Sequence, residues 1–190
     1  MKSRILEAAA QEMNERGIKF TIDSVALRLG MSKKTIYQHF NTKDELISAI
    51  VDAVIQDLED QETAVLQSES DFTVKLFSFL HIEPQRFGKI NDWVMEDVKR
   101  CRPNDWVRVE RFRQNHSRIT ARLLEDGVKS GHIRPVHAAV ASKMLLGAVG
   151  QLMDYKFLAG NNITFHDALQ VVADIFLHGV LSKPDSSHNV

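Results

Sequence analysis

A single cysteine, Cys101, stands among the 190 residues, so no disulfide can form within the chain and a reducing cytoplasm is the expected setting. Four prolines and nine glycines are too few for a loop-rich chain, and alternating β-branched runs are missing, which favours helices over sheets. Uncharged apolar runs are short. The longest of interest, Met144 to Met153, falls well below the roughly 20 residues that span a bilayer, so no membrane segment is expected. Lys2 and Arg4 near the start are followed by Glu7, Glu12 and Glu15, which leaves no apolar region of the secretory kind. Charge of one sign is lacking overall, at a net −1, but it is unevenly spread. Residues 1–50 hold eight Lys/Arg against six Asp/Glu, while the remainder is acidic by three. A mildly basic beginning on an acidic body is compatible with nucleic-acid contact.

What is present is helical periodicity on 44% hydrophobic residues, enough for a substantial core. The spacing predicts a first helix over 3–16 with Ile5, Leu6, Ala9 and Met13 inward and Gly17 at its end. Thr21 is placed to cap a second helix ending at Gly30, and Ser32 to cap a third through the amide of Thr35. Ile36 and Phe40, four apart, face inward on that third helix. Thr42 and Glu45 read as a capping box for a long fourth helix. Further helices are expected over 72–80, 85–100, 104–129, 136–158 and 164–181, with a polar, disordered tail at 184–190.

Two short helices joined through Gly30, Met31 and Ser32 form a helix-turn-helix pattern. Once Ile36 and Phe40 are buried, Lys33, Lys34, Thr35, Tyr37, Gln38 and His39 cover the remaining faces of the third helix. Cations, hydroxyls and an amide are the groups that hold phosphates and read base edges. The charges alone would equally suit a solvated basic helix; the caps, the glycine turn and the matching apolar faces favour DNA binding.

The stretch TIDSVALRLGMSKKTIYQHFNTKDEL resembles the signature of the tetracycline-repressor (TetR) family of bacterial transcription regulators. The resemblance covers residues 4–50 and rests on Gly17, Phe20, Thr21, Val25, Ala26, Gly30, Ser32, Thr35, Ile36, Tyr37, His39, Phe40, Lys43 and Leu46. It implies an all-α chain with a helix-turn-helix DNA-binding domain at 1–46 and a helical effector-binding and dimerisation domain at 47–183. It further implies a cytoplasmic homodimer on a palindromic operator, a repressor released by a small-molecule effector. The alternative is a TetR-like DNA-binding protein controlled by a protein partner or acting without a small-molecule effector. Thr21, Tyr37 and Lys43 match positions that commonly meet phosphates. Ser32, Lys33, Lys34, Thr35, Gln38 and His39 lie on or beside the recognition helix, with Lys33, Lys34 and Gln38 as base readers. Many members have a small residue where Lys34 stands, so its contact does not transfer. The chain begins almost at the first helix, so the basic arm of some relatives is not expected.

Beyond residue 50 the signals thin out. Trp93, Phe112 and His116 are the candidate effector contacts, since an indole and an imidazole give an apolar pocket a polar handle; each singly reads as plain core, and the resemblance is what favours a cavity. Arg108, Arg111, Arg113, Arg118 and Arg122 suit an anion clamp, but nearby Glu110, Glu125 and Asp126 favour a self-paired face. His132, His137, His166 and His178 lack metal-ligand spacing, so no metal or cofactor is expected. No nucleophile–base pairing emerges from the spacing, so no catalytic residue is expected. The last two helices, with Ala141, Met144, Leu145, Ala148 and Leu152 on one and Leu169, Val172, Ile175 and Phe176 on the other, are the expected dimer surface. The small residues of Gly147–Gly150 suit close helix approach there.

Overall fold

Helix α1 (Lys2–Arg16) buries Ile5, Leu6, Ala9 and Met13 on one side and gives way to a 3-10 turn at Gly17–Lys19. Helix α2 (Ile22–Leu29) starts at Thr21, whose hydroxyl accepts from the amide of Ser24 while the Ser24 hydroxyl receives the amide of Thr21. It stops at Gly30, which takes the left-handed conformation (φ 62°) that side chains resist. Helix α3 (Lys33–Tyr37) is a short turn and a half capped by Ser32. The long helix α4 (Lys43–Gln67) follows, then α5 (Phe72–Leu80), α6 (Asp92–Cys101), α7 (Pro103–Lys129), α8 (Ala138–Leu152), α9 (Tyr155–Asn161) and α10 (Phe165–Val180).

This computed structural model describes residues 1–88 and 90–182; the tail expected at 184–190 lies outside them. Helices carry the described fold, with only one isolated bridge, Ile133 to Leu181. No described helix is long and apolar enough to cross a membrane.

The chain forms two compact units, and it passes between them three times. The first joins Met1–Gln61 to Glu83–Glu110, and the second joins Glu62–Ile82 to Arg111–Val190. The first unit's core gathers Ile5, Ala9, Phe20, Val25, Ile36, Phe40, Leu46 and Ile47 together with Val94 and Val98 of α6. Two buried valines of α6 thus tie the later segment to the core of the first fifty residues. The second unit's core is Leu76 and Leu80 of α5, Leu124 of α7, Ala141 and Leu145 of α8, and Ala173, Phe176 and Leu177 of α10.

Three local expectations are corrected. Residues 85–88, 90 and 91 are not helical: the Asp57 carboxylate accepts from the amides of Gln85 and Arg86 and holds a turn there, and α6 starts only at Asp92. The helix expected over 136–158 is two, because Asp154 caps a fresh start by accepting from the amide of Lys156. The box at α4 is displaced by one residue: Thr42 receives the amide of Glu45 as expected, but the Glu45 carboxylate reaches back to the amide and side chain of Asn41.

Candidate functional site

Three acids sit on apolar stripes of helices, and each organises its surroundings. Glu12 of α1, 2% exposed, receives Arg28 Nε of α2 at 2.7 Å, while Arg28 also reaches Glu15 at 2.6 Å. Burial pushes the Glu12 carboxyl upward, but hydrogen bonds from Ser24 and Arg28 and the charges of Arg16 and Arg28 outweigh it and hold it below its ordinary 4.5. This pair fixes α2 on α1, and so fixes the scaffold that carries α3.

On α3, Ile36 is fully buried and Phe40 just beyond it is 1% exposed. Their burial turns Lys33, Lys34, Tyr37 and Gln38 outward, all exposed. Ser32 accepts from the Thr35 amide at 3.2 Å and shares a hydrogen bond with its hydroxyl at 3.0 Å. Thr21 accepts the Ser24 amide, which leaves its own hydroxyl proton available as a donor. His39 is half-buried behind the helix end, its amide on the carbonyl of Ile36. Lys33 is held by Asp23 of α2, Nζ to Oδ1 2.6 Å, whereas Lys34 forms no ion pair among the described residues. Lys43, first in α4, lies with Nζ 4.8 Å from the centre of the Phe20 ring. Burial there lowers its pKa; Asp44 works the other way and Arg102 reinforces the fall.

The first unit is braced from the far end of its sequence. Gly17 takes φ 68°, and a Cβ there would come within 2.7 Å of the Trp93 ring. Asp97 accepts from the amide of Ile18 at 3.4 Å, and Asn91 donates two hydrogen bonds to Asn14, from its amide to the side-chain oxygen and from its side chain to the carbonyl. Trp93, expected beside an effector, packs over the glycine corner at Gly17 in the first unit.

Phe112 and His116 belong to the second unit, where they meet with ring centres 6.0 Å apart. His116 stacks on Phe79 at 4.4 Å and 7°, and its Nδ1 lies 2.5 Å from Glu62 of α4, a carboxylate only 4% exposed. Sequence reading missed Glu62. The signal for Glu62 was its register: it continues the stripe of Val51, Ile55 and Leu58 that the sequence lays along α4. Of the arginines, Arg108 binds Asp52 and Asp105 in the first unit, and Arg118 binds Asn115. Among the described residues no three of His, Cys, Asp and Glu gather as for a metal.

The comparisons with known proteins agree with this geometry. Residues 5–50 match the family model described as bacterial regulatory proteins, tetR family. An uncharacterised HTH-type transcriptional regulator of Bacillus subtilis (strain 168), YvaF, is 24% identical over 187 residues, spanning 98% of each chain. Among solved structures, a transcriptional regulator from Saccharomonospora viridis in complex with choline superposes with a TM-score of 0.77 at 19% identity, covering 96% of this chain and 98% of that one. The TetR-family regulator PfmR of Thermus thermophilus gives 0.66 at 23%, covering 92% and 97%. A capped, outward-facing α3 on a domain that matches the tetR family model, continued by a helical body of matching length, supports a TetR-family helix-turn-helix transcriptional regulator, in line with relatives that are transcriptional regulators and not enzymes.

Proposed function

We propose that this chain is a homodimeric repressor that leaves a palindromic operator when a small molecule enters its second unit. The observation that carries the DNA half is the seating of α3. With Ile36 at 0% exposure, the helix cannot rotate without exposing its anchor, so Lys34 and Gln38 are presented to base edges. Thr21, Tyr37 and Lys43 then meet phosphates, Ser32 and Thr35 flank the contact, and His39 supports the helix end. Lys33 reaches DNA only in competition with Asp23.

Dimerisation is supported by apolar residues that the second unit leaves uncovered. Val140 and Met144 of α8 are each 63% exposed, and Val171 and Ile175 of α10 are 57% and 66% exposed. Each pair is four apart on its helix, a stripe suited to a partner helix. Ala141, Leu145, Leu169 and Phe176 turn into the unit's own core, so the surface expected from sequence divides into an inner and an outer half. A two-fold pair would set recognition helices against half-sites about 34–36 Å apart.

The effector is proposed to contact Phe112 and His116, with Glu62 and Phe79 joining them. A buried carboxylate beside aromatic faces suits an organic cation, and the S. viridis neighbour is the precedent for a small cation in this fold. The ligand would compete with His116 for Glu62 on α4, a helix with residues in both units, and bias the spacing of the recognition helices. Fluorescence anisotropy on the DNA flanking its own gene, titrated with a panel of quaternary ammonium compounds, tests both halves. Loss of bound DNA on adding one compound supports the reading; no binding to any flanking duplex sinks it.

A further inference from the structure

Between Glu15 and Asp44 the sequence holds, besides Arg16, five cations, Lys19, Arg28, Lys33, Lys34 and Lys43, and one acid, Asp23. That span contains nearly every group proposed to touch DNA. A carboxylate here is opposed by the field of every phosphate nearby, so its presence needs a reason. Its place is specific: Asp23 lies in the first turn of α2, two residues after Thr21, and its Oδ1 is 2.6 Å from Nζ of Lys33, the first residue of α3. Both side chains are more than half exposed, so the pair forms in water at the protein's surface and packing does not demand it. The hydrogen bond to Asp23 raises the pKa of Lys33, as expected of an ammonium whose strongest partner is this carboxylate.

We propose that Asp23 is a specificity-setting residue that works through Lys33, holding that lysine in one place and cancelling its charge where random DNA would otherwise use it. The inference rests on α3 being the recognition helix. Non-specific binding is almost wholly Coulombic and scales with the number of phosphates neutralised. Tied to Asp23, Lys33 contributes no net charge to that sum. Removing the carboxylate returns a free, mobile cation to each protomer. Random sequence can use such a cation in any register. An operator complex has one register, and a freed lysine must be ordered again to fit it, at a cost in rotamer freedom. Random DNA therefore gains more than the operator does, and discrimination falls.

A pair that merely stapled α2 to α3 makes the opposite prediction, because breaking it would loosen α3 and weaken binding to every duplex. The experiment measures affinity against salt for the full chain on two probes: a random-sequence duplex, and the duplex recovered by wild-type selection from a random pool. Asp23→Asn should tighten random-duplex binding and steepen its log-affinity versus log-salt slope by about 0.9 for each protomer bound. The selected duplex should gain less. Asp23→Ser, which keeps a residue favourable to a helix start, should repeat the result, and Asp23→Glu should restore the wild-type slope. In a Lys33→Gln background the steepening should vanish, since no cation is left to release. An unchanged slope for both Asp23→Asn and Asp23→Ser, or equal tightening on both probes, overturns the proposal. If Lys34→Ala weakens binding while the Asp23 variants change nothing, the recognition-helix reading stands and this inference alone falls. If wild type binds neither duplex, both fall together.

Discussion

Ser48 of α4 donates a 2.8 Å hydrogen bond to the carboxylate of Asp105 at the start of α7. The same carboxylate takes Arg102 Nε at 2.7 Å on one oxygen and Arg108 at 2.6 Å on the other. Arg102 goes on to Asp44, and Arg108 to Asp52, both on α4. A single acid, 3% exposed, thus clamps two arginines that grip α4 on either side of Ser48. Asp105→Ala should cost about 3 kcal/mol, because it removes the buried carboxylate shared by two partly buried guanidinium groups; urea unfolding measures the loss. A change within experimental error would mean water replaces the carboxylate.

Phe40 closes the helix-turn-helix core at 1% exposure, its ring centre 5.1 Å from the Lys2 ammonium. Phe40→Ala should remove about 3–5 kcal/mol of stability and lower the melting temperature as well as DNA affinity. Affinity lost without any thermal shift would place Phe40 at the DNA and outside the core.

Lys43 offers a phosphate contact without base identity. Lys43→Ala should weaken operator and random duplexes by similar factors and flatten the salt slope by about 0.9 per protomer. Anisotropy at several salt concentrations reads both. A loss confined to the operator would reassign Lys43 as a reader of sequence.

Glu12 supplies a pH test. Its folded pKa lies below 4.5, against an ordinary value in the unfolded chain. The stability it contributes is therefore fully present above 4.5 and is lost as pH falls through the depressed folded value. Wild type should exceed Glu12→Gln in unfolding free energy at neutral pH, and the gap should narrow below pH 4.5. A gap that stays constant into acid would show that shape at this site matters and charge does not.

For the effector half, Phe112→Ala and Glu62→Gln should abolish release by the compound that displaces wild type. Operator affinity in its absence should remain within about threefold, the change that roughly 0.6 kcal/mol makes. Normal release from both variants would remove these residues from the site.

The helix-turn-helix was legible because its determinants are local. Thr21, Gly30 and Ser32 state where helices start and stop, and Ile36 with Phe40 states which side is inside. The packing of Trp93 was not legible for the opposite reason. Its partner is Gly17, far earlier in the chain, and no periodicity couples the two. Glu62 and Asp105 were overlooked because an acid on a helix reads as solvated until tertiary packing supplies His116 or Arg102 and Arg108. Asp154 held an available cap signal, yet the apolar run across it suggested an unbroken helix.

The contact of α6 with Gly17 has a consequence for how the protein is made. The stretch that carries the family signature ends at residue 50, but Val94, Val98 and Trp93 complete the hydrophobic enclosure around it. During synthesis the signature leaves the ribosome well before its lid exists. At roughly 5–20 residues per second, several seconds pass in which Gly17 and the flank of α1 lie open to water and to other chains. Closing the unit then means joining segments far apart in sequence, which is slow compared with forming its local turns. Chaperone demand should accordingly peak before Glu110 emerges, and a fragment cut at the end of the signature would remain indefinitely in that unsealed state.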